Sequence, residues 1–266
     1  MAVMVLETGT MNETVSERDR QPDAPGSGRD WNAIGRALGV ALALWVAGAV
    51  VGNLLGAVPV VVVVLQQGGV PEQLPAWALL VGQVLLEATF VGVGGVYASR
   101  WLGGLDLSVL DGEDLHWVAV GLGGALAVWL GSTALATVFD VQGPSSTITA
   151  SFTETWALAT FAVMGVLVVP VAEEILFRGA IQRRLARTLG SWPAVVLASF
   201  AFLSVHLFNF VGGSLLGLVL AFATLFGVSV VIGSVYERAD SLGVPIAVHV
   251  VYNAVVFGIG LSGLLG

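Results

Sequence analysis

Seven apolar stretches, at about 37–64, 76–98, 117–138, 155–177, 192–208, 213–235 and 244–264, leave this chain little choice of environment. A helix needs ~20 apolar residues to cross the hydrocarbon core of a bilayer, and all seven reach or approach that length. In lipid every backbone amide must be satisfied within its own segment, so such stretches fold as helices. The fold class expected is an all-α polytopic membrane protein with about seven transmembrane helices. Composition agrees: 11% of the 266 residues are charged, against about 25% in soluble domains. The first stretch is overlong and holds Pro59, so a tilt or kink is expected there. The fifth is short enough to be partly re-entrant.

Residues 1–30 are polar and hold six of the eighteen acids, and they read as a disordered acidic tail. Residues 31–266 form the transmembrane helical domain. The net charge of −8 is concentrated in the tail, so it does not argue for an anionic partner, and no nucleic acid is expected. Cysteine is absent, which excludes disulfides and thiolate metal sites. No apolar region begins before Ala37, so no cleavable signal peptide is expected, and Met1 and Met11 are both candidate starts. All ten basic residues are arginine. Arg18, Arg20, Arg29, Arg36, Arg100, Arg183, Arg184, Arg187 and Arg238 share one side if the spans alternate. The opposite loops, 65–75, 139–154 and 209–212, carry no basic residue. The positive-inside rule then puts the N-terminus, and with it the tail, in the cytoplasm of a multi-pass cell-membrane protein.

Charge inside the spans is rare and therefore informative. No residue of 155–172 is charged, and then Glu173, Glu174 and Arg178 follow. A charged side chain at membrane depth costs on the order of 3 kcal/mol on insertion scales, so such groups face one another or a cavity. Glu174 and Arg178 are spaced i,i+4 and share a helix face, which makes Arg178 the neutralising partner of Glu174. Glu173 points about 100° away around the helix and lacks an intrahelical partner. An unpaired carboxylate in a dry site is a candidate general base. With Gly190 as the turn between spans four and five, Glu173 lies seventeen residues before it and His206 sixteen after it. In an antiparallel hairpin the two are level, and Phe202 shares the face of His206. The last span carries His249 and Asn253, again i,i+4, two hydrogen-bond donors suited to an oxyanion hole. Ser204 points away from the face of His206. Glu87, in span two, is expected to bond a neighbouring helix. His116, beside Glu113, Asp114 and Trp117, reads as part of an interfacial belt.

Two acids, two histidines and an asparagine on three helices are a set that hydrolyses an amide through activated water. The same set permits other readings. Intramembrane Glu and His also relay protons or bind ions in transporters, although the repeats usual there are not evident. A non-proteolytic membrane scaffold or immunity protein is a further alternative.

The segments EEILFR, FLSVH and HVVYN resemble the EExxxR, FxxxH and HxxxN motifs of the CAAX-processing and bacteriocin-processing (CPBP, or Abi) intramembrane endopeptidases. Order and placement on successive helices match as well, over about 155–257, which would be the catalytic core. The resemblance implies an intramembrane endopeptidase whose substrate is a peptide or a prenylated protein. It implies Glu173 as general base with His206, Glu174 in support, Arg178 pairing the carboxylates, and His249 and Asn253 on the oxyanion. The family has been called both glutamic and metallopeptidase. No HExxH is present. A zinc ion, if bound, would take His206, His249 and Glu173. Recruiting His249 would remove an oxyanion donor, so a mechanism without metal or other cofactor is expected. The active site is expected to open toward the cytoplasm.

Overall fold

The computed structural model describes residues 30–107, 109–147, 151–152, 154–239 and 241–265, with side chains as far as 260. The expected tail lies outside the described residues except for Asp30, as do both candidate starts. Residues 32–266 form one compact unit.

Among the described residues, seven apolar helices build that unit. They are α1 (Trp31–Gln67), α2 (Ala76–Leu102), α3 (Gly112–Val138), α4 (Thr155–Leu189), α5 (Ser191–Val205), α6 (Leu215–Ala239) and α7 (Gly243–Leu265). Six are long and apolar enough to cross a membrane, and α5, at 15 residues, is shorter. Local chemistry sets the boundaries. Gly68 and Gly103 end α1 and α2 in the left-handed region, at φ 70° and 87°. Asp111 caps α3 by accepting from the backbone amides of Glu113 and Asp114, and Asp114 returns a bond to the Asp111 amide. The acids beside His116 are therefore a helix cap, and α3 begins earlier than hydropathy suggests. Gly190, at φ 83°, turns α4 into α5, where Pro193 occupies the first turn. In α1 the irregularity is a π-helical turn at Val46–Val51, ahead of the buried Pro59.

Glycine lets the helices approach. A Cβ on Gly94 would lie 2.8 Å from the Ile175 carbonyl oxygen and 2.9 Å from the Leu176 Cα. A Cβ on Gly56 would lie 2.9 Å from the Gly82 oxygen. So α2 is pressed between α1 and α4, backbone against backbone. Phe90, Leu176, Phe177, Ile181 and Phe202 fill the core around α4, and Phe177 packs edge-on to both Phe90 and Phe202. A second core, with Ala125, Val228, Ile232, Val244 and Val248, joins α3, α6 and α7.

Opposite features mark the two ends of the bundle. At the Gly190 end, Arg183 donates to the Gly104 carbonyl and Arg187 to the carbonyls of Trp101 and Leu102. These cations cap the C-terminal end of α2. At the other end, Ser145–Ser146 (β1) pairs antiparallel with Phe210–Val211 (β2), with Ser145 opposite Val211. We call this short ribbon the strap. Glu87 departs from expectation: it is buried and accepts a hydrogen bond from Gln83 of its own helix, four residues earlier, instead of reaching a neighbouring one.

Candidate active site

The middle of α4 is the driest part of the molecule. From Ala172 to Gln182 every residue is buried. Pro170, which lacks an amide proton, sits just before this segment, and a π-helical stretch over Ile175–Gln182 follows the two glutamates. Wider turns there swing Arg178 toward α6, where Nη2 donates to the Ser229 carbonyl at 3.0 Å and to its Oγ at 2.8 Å. Arg178 Nη1 meets Glu174 Oε1 at 3.0 Å, and the guanidinium lies over the Phe202 ring at 5.1 Å. The cation is thus held from three sides in a site with 1% exposure. Ser229 is a lone hydroxyl in an apolar run, and no spacing in the sequence singles it out.

Glu174 Oε1 also lies 2.8 Å from His249 Nδ1. A carboxylate only accepts, so Nδ1 carries the proton and Nε2 of the neutral ring is left as an acceptor. His206 is arranged the same way. Its Nδ1 is 3.0 Å from the Phe202 carbonyl oxygen, which also can only accept. The two Nε2 atoms turn to one carboxylate. His206 Nε2 is 3.6 Å from Glu173 Oε1, and His249 Nε2 is 3.8 Å from Glu173 Oε2. Those separations exceed a direct hydrogen bond. A water bridging either pair would lie about 2.8 Å from a carboxylate oxygen and an imidazole nitrogen together.

The structure therefore brings Glu173, Glu174, Arg178, Phe202, His206 and His249 into one cluster drawn from α4, α7 and the end of α5. Asn253, one turn beyond His249, donates through Nδ2 to the Gly165 carbonyl at 2.9 Å and ties α7 to α4. The amide keeps a second hydrogen. Ser204 bonds the Ala201 carbonyl of its own helix. Glu87 of α2 stands within electrostatic reach of Glu173, and its Oε2 is buried without a hydrogen-bond partner among the described residues. Its place in span two, outside the motif-bearing spans, gave no sign of that proximity. Among the described residues no group of three His, Asp or Glu side chains is disposed as a metal-binding cluster.

Residues 155–255 match the family model described as Type II CAAX prenyl endopeptidase Rce1-like. The match covers less than half of the chain and includes all six clustered residues and Asn253. That match is consistent with the CPBP resemblance of the three motifs it contains. No curated protein and no solved structure matches the chain.

Proposed function

We propose that this chain, whose residues 155–255 match a CAAX-type peptidase family model, hydrolyses a peptide bond within the membrane by activating water between Glu173 and two imidazoles. The observation that carries the reading is a buried carboxylate, Glu173, faced by His206 Nε2 and His249 Nε2 at 3.6 and 3.8 Å. Glu173 takes a proton from the water, and the resulting hydroxide adds to the substrate carbonyl. The tetrahedral oxyanion is met by a donor, and Glu173 then returns its proton to the leaving amine. His206, fixed through its Nδ1 to Phe202, orients the water.

Glu174 is bonded to both Arg178 and His249, so it positions rather than attacks. Bonding to Nδ1 fixes the His249 ring, and sharing of the Glu173 proton with Nε2 lets that nitrogen donate to the oxyanion until the proton passes to the leaving amine. The second Asn253 amide hydrogen is a further donor. Arg178 balances the Glu174 charge in a setting where an uncompensated ion is costly. His206, His249 and Glu173 are residue types that zinc accepts, but they are not disposed as a metal-binding cluster among the described residues. The metal-free reading accounts for each residue without it.

The substrate class proposed is a peptide or prenylated protein presented at the bilayer. Cleavage of prenylated peptides by the chain reconstituted in liposomes tests the reading, with Glu173→Ala and His206→Ala beside wild type. Loss of turnover in both is expected. Turnover that survives both substitutions refutes the site.

A further inference from the structure

We infer that water and an extended peptide substrate reach Glu173 from the strap end of the bundle, through a crevice left where α5 stops short. This rests on the function proposed above and adds the route by which the site is fed.

Closure of the other end is the first observation. Between Glu173 and the Gly190 turn, α4 is buried without interruption through Gln182. Arg178 is bonded to Ser229 there, and Gln182 donates to the Gly233 carbonyl and to Glu237. Arg183 and Arg187 then fasten α4 to the end of α2. On that side of Glu173 the layer is packed and hydrogen-bonded among the described residues.

The burial pattern is the second observation. In α3 the buried residues are Gly121 and Ala125, in the half toward the arginine end. In α6 they run from Val228 to Tyr236, again toward that end, with Gly217 alone buried near the strap. In α7 they stop at His249, and none of 250–260 is buried. In these three helices the buried residues lie from the catalytic level toward the arginine end, and among the described side chains beyond that level Gly217 alone is buried.

The third observation is the length of α5. Its 15 residues span ~22 Å, whereas the 25 residues of α6 span ~37 Å. His206 stands at the end of α5, so beyond the site α4 and α6 lose their common neighbour. The chain continues from there as irregular backbone, which includes β2. Non-helical backbone at membrane depth is tolerated only where protein buries it or water reaches it. Hydrogen bonds tie this stretch to the segment before α4: the Asn209 carbonyl accepts from the Thr147 amide, and the Ser214 amide and hydroxyl donate to the Gln142 carbonyl. An extended peptide fits such a crevice, because a helix would fill it without exposing a carbonyl to Glu173.

One consequence concerns orientation. The arginine-bearing loops and the mouth of the site lie at opposite ends. If the arginines mark the cytoplasmic face, substrate enters from the far side of the membrane. If substrate enters from the cytoplasm, the arginines do not mark that face. With entry at the strap end, the two expectations drawn from the sequence do not hold together.

The absence of cysteine makes the test direct. Ser145→Cys and Val211→Cys place a thiol at the strap end, and Glu113→Cys and Ser191→Cys place one at the arginine end. Each full-length variant is assayed in liposomes on a prenylated peptide before and after reaction with a bulky maleimide, so every variant is its own reference. Modification at the strap end is expected to lower turnover at least about tenfold, and modification at the arginine end less than about twofold. The reverse pattern, or equal effects at both ends, overturns the inference. A second readout needs no activity: Leu207→Cys should react with a charged thiosulfonate many times faster than the lipid-facing Val163→Cys. Equal rates overturn the crevice. Absent cleavage by wild type, with fast reaction at 207, would instead sink the proposed function and leave the water path standing.

Discussion

His249 Nδ1 lies 2.8 Å from the same Glu174 oxygen that receives Arg178 Nη1 at 3.0 Å. One carboxylate atom therefore fixes a histidine from α7 and a cation from its own helix. The adjacent Glu173 is left with no cation bonded to it and with two imidazole nitrogens before it. The two glutamates differ in role because neighbouring helix positions face different partners.

Glu174→Gln removes the charge that holds the His249 proton on Nδ1 and lets the amide nitrogen compete for that contact. Loss of a carboxylate that fixes a histidine tautomer costs ~10²–10⁴ in kcat. The expected result is a fall in kcat of that order with KM nearly unchanged, measured on a prenylated peptide. An equal rise in KM would assign Glu174 to substrate binding.

Glu173→Gln is nearly isosteric and removes only the base. Removing a general base costs about 10²–10⁴-fold, so activity should fall by at least that factor. Thermal unfolding in detergent should stay at or above the wild-type temperature, because the substitution relieves a buried charge with no bonded counter-ion. A large loss of stability would show that Glu173 is structural.

Arg178→Ala should act on the fold. It leaves Glu174 charged and buried and strips the Ser229 hydroxyl and carbonyl of their partner. Breaking one side of a buried ion pair costs about 3–5 kcal/mol. Arg178→Lys should recover little, since one ammonium cannot reach Glu174 and both Ser229 acceptors with a planar fork. Thermal melts of the two variants check this, and the pair should cluster well below wild type.

Much of this arrangement is legible in the sequence, for stateable reasons. Hydropathy locates all seven helices because lipid imposes one solution on an apolar run. Equal distances from Gly190 bring Glu173 level with His206, and the left-handed glycine makes that hairpin. The π-helical stretch at Ile175–Gln182 is not legible, since no residue pattern distinguishes it from a regular turn, yet it carries Arg178. Glu87 is not legible, because an acid in an apolar span suggests a partner on another helix, whereas Gln83, one turn away, supplies the bond. The arginines carry a topological signal, and Arg183 and Arg187 are also helix caps. Asn253 stands out one turn after His249, but no spacing shows its tie to Gly165.

Glycine at the α1–α2 crossing gives a prediction independent of catalysis. Gly82 faces the Gly56 carbonyl closely, and Gly92, on the same helix, has open space where a Cβ would stand. Gly82→Val should force the helices apart, at about 1–3 kcal/mol for overpacking. Gly92→Val should be near neutral. Comparable losses at both positions, in melts of the two purified variants, would mean that the crossing does not depend on backbone contact.

Metal removal separates the two ways of using the same imidazoles. In the reading favoured here, Nε2 of His206 and Nε2 of His249 address water and oxyanion in turn, and both must be free to exchange hydrogen bonds as charge develops. A coordinated metal would occupy those lone pairs throughout the cycle. Exhaustive dialysis against a strong chelator should therefore leave turnover of the prenylated peptide within about twofold of the untreated enzyme, while Glu173→Gln remains inactive. Turnover that vanishes on chelation and returns with one equivalent of zinc would transfer the water activation from Glu173 to the metal. Glu173, His206 and His249 would then be ligands, and the Nδ1 bonds to Glu174 and Phe202 would hold those ligands in orientation.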